Sequence, residues 1–170
     1  MAIENGTLAG GCTCGHVRYI LKSEPLIVHG CHCSWCQRQS GASFAVNALI
    51  EADRVELTQG EVMEILVESP SGTGQKISRC PKCQIAVWSN YLVFAGVLGE
   101  VVRFIKVGTL DNPDQLPPDV HIYTSTKQSW VILPTDTPAV REYYDTQETW
   151  SQDSLDRLSV MLDSAEETAS

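Results

Sequence analysis

Cys31-His32-Cys33-Ser34-Trp35-Cys36-Gln37-Arg38-Gln39-Ser40-Gly41 places three thiols within six residues. The CxCxxC spacing lets one short segment present Cys31, Cys33 and Cys36 to a soft metal ion from three sides and leave a fourth coordination position open. Structural zinc sites are closed by four protein ligands, whereas catalytic ones keep a place for water or substrate. The other four cysteines form a second set, Cys12-Thr13-Cys14 upstream and Cys80-Pro81-Lys82-Cys83 downstream. A closed four-thiolate site beside an open three-thiolate site uses all seven cysteines, so the odd count leaves no stray thiol.

Outward from this cluster the chain reads as short strands. His16 to Lys22 puts Val17, Tyr19 and Leu21 on one face by period-two alternation, and after Pro25 the run Leu26-Ile27-Val28 delivers the chain to Cys31. Downstream, Ser43–Ile50, Arg54–Thr58 and Val62–Val67 read as meandering antiparallel strands, with Gln59-Gly60 turning between the last two. Ser69 to Gly74 is a loop, Gln75–Arg79 leads into the Cys80–Cys83 knuckle, and Ile85–Trp88, Val101–Val107 and Val120–Tyr123 are further strands. The apolar run Tyr91 to Leu98 has no clear type. Only the tail has a helical pattern: Leu155, Leu158 and Leu162 share a stripe, with Thr149 or Ser151 placed to cap it, and the small acidic residues past Asp163 fray. The fold class is mainly β, with a short C-terminal helix. A zinc-binding domain over 1–145 is followed by an acidic helix and tail over 146–170.

The net charge of -9 is concentrated at the end: Glu142 to Ser170 holds eight acidic residues against Arg157, leaving -2 for the first 141. Such a body is a poor partner for phosphate backbones or anionic membranes, which excludes nucleic-acid binding despite the finger-like cysteines. No apolar run is long enough to span a membrane, and the first six residues have no signal-peptide character. The expected compartment is the cytoplasm, where paired cysteines are metal ligands or redox groups rather than disulfides.

A metal held by Cys12, Cys14, Cys80 and Cys83 would tie the N-terminal edge to the middle of the sheet. Two buried or redox-active thiol pairs are the alternative. Gly10, Gly11 and Gly15 suit a chain turning closely around an ion. At the second cluster a remote histidine, His16, His29 or His121, could close the site instead of leaving it open. His32 lies between two ligands in extended chain, so its side chain points away from the ion. Three thiolates cancel the charge of a zinc ion, which weakens it as an activator of water and suits it to holding a sulfur ligand; a thiol there loses its proton at neutral pH.

Gly10-Gly11-Cys12-Thr13-Cys14-Gly15-His16-Val17-Arg18-Tyr19, the stretch Cys31 to Phe44, and Cys80-Pro81-Lys82-Cys83 together resemble the glutathione-dependent formaldehyde-activating enzyme family. Val107-Gly108-Thr109-Leu110-Asp111, His121-Ile122-Tyr123 and Trp130 extend the likeness over roughly residues 8 to 135. The resemblance implies a β-tent fold of antiparallel sheets, a structural zinc on Cys12, Cys14, Cys80 and Cys83, and a catalytic zinc on Cys31, Cys33 and Cys36. It also implies a carbon–sulfur lyase that interconverts S-(hydroxymethyl)glutathione with glutathione and formaldehyde. The family usually has glycine where this chain has Gln84. Within this reading His32 and His121 are candidates for proton transfer, Arg38 for pairing a glutathione carboxylate, and Trp35 for packing on the ligand or in the core. The rival readings are a zinc-stabilised binding module without turnover and a lyase acting on another thiol adduct.

Overall fold

The computed structural model describes residues 8–70, 72–92 and 99–169. Among the described residues ten strands fall in two sheets. β1 (Leu8–Gly11), β2 (Arg18–Leu21) and β5 (Val55–Gln59) form the smaller sheet in the order β1-β2-β5. The larger is built from β3 (Ile27–Cys31), β4 (Ala45–Glu51), β6 (Met63–Val67), β7 (Gln75–Arg79), β8 (Ala86–Tyr91), β9 (Val102–Lys106) and β10 (Val120–Ile122), in the order β10-β3-β4-β9-β8-β7-β6. All pairings are antiparallel except β10 on β3, which run parallel with His121 opposite Gly30 and Ile122 opposite Cys31.

Three features depart from the sequence reading. β1 is a strand although two of its four residues are glycine. Its backbone lies so close to the next layer that a Cβ on Gly10 would sit 2.6 Å from the Tyr19 ring and 2.7 Å from the Thr109 carbonyl. Among the glycines near the first thiol cluster only Gly15 takes a positive φ, 74°. Second, helix α1 (Ser34–Ser40) grows from the cysteine cluster itself, capped by Cys33 and ended by Gly41 at φ 68°. Third, the tail holds two helices, α2 (Thr146–Thr149) and α3 (Gln152–Ala169), and α3 keeps helical backbone beyond Asp163, where Ala and Glu are good helix formers. Ser151 supplies the N-cap, its Oγ accepting from the Ser154 N–H at 3.1 Å. The segment 93–98 of the untyped apolar run lies outside the described residues, and Tyr91 closes β8. No described helix is long and apolar enough to cross a membrane.

Side-chain alternation gives the large sheet two different faces. One face, with Val28, Ala48, Ile50, Trp88 and Ile105, packs on Tyr19, Leu21 and Val55 of the small sheet as the main core. Tyr19 is fully buried there, edge-on to Trp88 and hydrogen-bonded to Thr109 at 2.7 Å. Burying each large side chain of this set contributes about 1.5–3 kcal/mol. The opposite face carries a second cluster of Ile27, Cys31, Leu49, Val102 and Ile122, against which Tyr144, Trp150 and Met161 of the tail segment pack. Near Cys31 this second face opens into a cavity.

Candidate metal centre

The closed cluster is assembled from two turns. Cys12 and Cys14 lie just after β1, where the Cys12 N–H reaches back to the Val17 carbonyl at 3.1 Å, and Cys80 to Cys83 form the tight connection between β7 and β8. The four sulfurs lie within 4.8 Å of one another, with Cys12 to Cys14 at 3.5 Å and Cys14 to Cys80 at 3.7 Å. Sulfurs around one tetrahedral zinc at about 2.3 Å stand about 3.8 Å apart, so this set fits such an ion. Burial works against ionising Cys12, but the Val17 N–H on its sulfur and the neighbouring thiols bring it down to about 6. Gln84 follows this cluster with φ 64°, the left-handed conformation that glycine adopts without strain. Its N–H donates to the Cys80 carbonyl at 3.0 Å and completes the knuckle.

The second cluster sits at a corner between sheet and helix. Cys31 ends β3, Cys33 caps α1, and Cys36 lies in the first turn of that helix. Their sulfurs also lie within 4.8 Å of one another, and among the described residues no histidine or carboxylate joins them. His16, His29 and His121 therefore do not close the site. Cys33 Sγ accepts the Cys36 N–H at 3.3 Å. The Cys31 and Cys36 thiols, together with that N–H, draw the Cys33 pKa well down, while the same crowding pushes Cys31 up. A three-sulfur set with one thiolate already favoured is the donor chemistry of a soft divalent ion with a position to spare.

The three thiols line a cavity of about 580 Å³ on the second face of the large sheet. His29, Asn47 and Lys106 lie side by side across β3, β4 and β9, in register. Trp35, Tyr91, Phe104 and Tyr123 form much of the apolar wall, and Tyr143 completes it from the segment before α2. The polar groups are tied together. Lys106 Nζ donates to Asn47 Oδ1 at 2.9 Å and to Gln39 Oε1 at 3.2 Å; Gln39 and Trp35 both donate to Gln75 Oε1, and Gln75 donates to Ser89. His29 is buried, and burial lowers its pKa to about 4. Its Nε2 meets the Tyr144 hydroxyl at 2.5 Å, and that oxygen accepts from Trp150 Nε1 at 2.7 Å.

The structure places the sequence-derived candidates differently from one another. Trp35 lines the cavity, half-buried. Arg38 is exposed in the last turn of α1, outside the lining. His32 and His121 are buried on the face away from the cavity, Nε2 of one 3.0 Å from Nδ1 of the other, with Phe44 against both rings. Strand parity is the cause: they alternate with Cys31 and Ile122, which face the other way. Gly30 makes room for this pair, since a Cβ there would stand 2.5 Å from His121 Nδ1. Sequence reading missed Asn47, Gln75, Lys106 and Tyr143, which lie on four separate segments and meet only through the register. Asn47 and Lys106, polar interruptions in otherwise apolar strands, were the available signal.

The comparisons with known proteins bear on this arrangement. A structural search matches the crystal structure of a Rhodobacter sphaeroides protein at 18% identity and TM-score 0.45, covering 78% of this chain and 99% of that one. No curated protein matches. The family model for the glutathione-dependent formaldehyde-activating enzyme matches residues 7–126, a span that contains all seven cysteines of the two clusters. By that match over most of its length, the chain belongs to the glutathione-dependent formaldehyde-activating enzyme family.

Proposed function

We propose that the protein is a zinc-dependent carbon–sulfur lyase with two zinc ions per chain, interconverting S-(hydroxymethyl)glutathione with glutathione and formaldehyde at the Cys31–Cys33–Cys36 corner. The observation that carries this reading is a cluster of three thiols beside a ligand-sized cavity, with no fourth protein ligand among the described residues. A zinc ion bound there would keep a substrate sulfur deprotonated at neutral pH. Cys31, Cys33 and Cys36 would hold the ion and so fix where that sulfur stands, Cys33 steadied by the Cys36 N–H. Trp35, Tyr123 and Tyr143 flank the adduct and keep its reacting carbon away from bulk water. The sulfur lone pair forms the C–S bond as the carbonyl π pair moves to oxygen, which takes a proton from water; in reverse the hydroxyl proton passes to water, the C–S pair returns to sulfur and formaldehyde leaves. Arg38, exposed at the end of α1, is placed to meet a carboxylate of glutathione outside the cavity. His32 and His121, on the far face, hold the cysteine segment in place rather than touch the adduct.

NMR exchange between labelled formaldehyde and S-(hydroxymethyl)glutathione tests the reading with metal-loaded protein and its Cys33→Ser variant. Faster exchange with the intact protein alone is the expected result. Equal rates for protein and buffer, with metal shown to be bound, would sink it.

A further inference from the structure

Among the described residues, Lys106 is a cation without a carboxylate counter-ion. It ends β9 beside Asn47 of β4, and among the described residues its acceptors, Asn47 Oδ1 and Gln39 Oε1, are neutral amide oxygens. No carboxylate among the described residues pairs with it; burial draws its pKa below the ordinary lysine value, and the nearby sulfurs of Cys36, Cys31 and Cys33 work against that. A half-buried ammonium whose acceptors are neutral gains from any negative charge that forms next to it. An ammonium has three N–H donors, so with two committed to described residues one remains. Lys106 lines the same cavity as the three thiols and is the one Lys or Arg side chain among the described lining residues.

Resting on the lyase reading above, we infer that Lys106 is a catalytic residue that donates its third N–H to the formaldehyde-derived oxygen of the adduct. As the C–S bond forms, the carbonyl π pair collects on that oxygen beside the ammonium; the oxyanion then takes a proton from water, matching the one the thiol released on binding. In the reverse direction the hydroxyl proton leaves to water, the C–S pair returns to sulfur, and Lys106 loses the oxyanion as the C=O bond reforms. The proton on Nζ stays in place throughout. The Asn47 and Gln39 bonds aim the donor before charge develops, and such preorganised donors contribute most when water is excluded. Gln39 is itself held by Gln75, so the donor's direction is set by a chain of bonds reaching β7.

The test uses metal-loaded full-length protein, with Lys106→Met and Lys106→Arg beside the wild type, in the same NMR exchange assay at varied S-(hydroxymethyl)glutathione. The expected result is a fall in kcat of roughly 100-fold or more for Lys106→Met, a KM within about threefold of wild type, partial retention by Lys106→Arg, and unchanged metal content. A second readout does not depend on turnover. In protein labelled with 15N-lysine, the Lys106 ammonium signal is expected to shift with S-(hydroxymethyl)glutathione and not with glutathione alone. Should Lys106→Met fail to fold, Lys106→Gln and the wild-type ammonium signal carry the test. A kcat for Lys106→Met within threefold of wild type, a loss lying wholly in KM, or an equal signal shift with glutathione alone overturns the assignment and leaves the lyase reading standing. A wild type no faster than buffer removes the lyase reading, and the role of Lys106 with it.

Discussion

Among the described residues, Gln84 and Tyr123 alone hold positive φ without being glycine, at 64° and 54°. One follows the last cysteine of the closed cluster and the other lines the cavity. Strain of this kind persists where surrounding structure over-determines the backbone. Gln84→Gly is expected to raise stability by about 1 kcal/mol, the left-handed penalty it removes, measured by denaturant unfolding of the metal-loaded protein. The side-chain bond from Gln84 to the Pro81 carbonyl is exposed and offsets little. The two thiol clusters should part under mutation. Cys33→Ser is expected to lower metal content by one ion per chain and leave the far-UV spectrum intact. Cys80→Ser, whose sulfur is fully buried between the two sheets, should lose near-UV signal and unfold at lower denaturant. All seven cysteines were readable in the sequence because their spacing is local. Lys106 was not, since its partners come from β4 and α1.

Helix α1 shows why local pattern failed at the level of elements. Its seven residues bury no side chain fully, so no apolar stripe announces it. The readable signals were Gly41 at its end and the cysteine cap at its start. The parallel β10–β3 pair was equally hidden, because only long-range register joins segments about ninety residues apart. Helix α3 is held to the body by Arg157, which donates to both oxygens of buried Glu51 at 2.8 and 2.6 Å. Removing one partner of such a pair leaves a buried charge, and Arg157→Met is expected to cost about 3 kcal/mol. Burial would raise the Glu51 pKa, but Arg157 and Arg54 outweigh it and hold the carboxyl below its ordinary value. A depressed folded-state pKa means the stabilisation is complete above the ordinary carboxylate range and disappears as pH falls through the folded value. Protection of α3 amides against hydrogen exchange should therefore fall below about pH 4, and this acid-side loss should shrink in Arg157→Met, where only Arg54 still faces Glu51. Tyr143 comes from beyond the family-matched span and stacks on Tyr144 with ring centroids 4.5 Å apart. Tyr143→Ala is expected to raise KM by about tenfold with metal content unchanged.

At the scale of the molecule, the strand sequence and the mainly β class were legible because alternation survives in short segments. The partition of strands into two sheets was not, since nothing in a strand's own pattern names its neighbour. The closed cluster links the β1–β2 turn to the β7–β8 turn and so staples one sheet to the other. The open cluster only joins β3 to α1. Titration with a chelator is expected to give two steps: first one metal leaves with near-UV circular dichroism retained, then the second leaves together with that signal. A single step removing both metals and the fold at once would contradict the division of labour between the sites.

The two-faced sheet also bears on how this scaffold can acquire new substrates. Positions 47, 89, 91 and 104 look into the cavity, while their neighbours in the chain at 48, 88 and 105 look into the core. A library randomised at positions 47, 89, 91 and 104 alone would therefore sample pocket shapes while the packed layer beneath stays constant. At these positions selectivity and foldability occupy opposite sides of the same strands, so mutational drift in one need not erode the other.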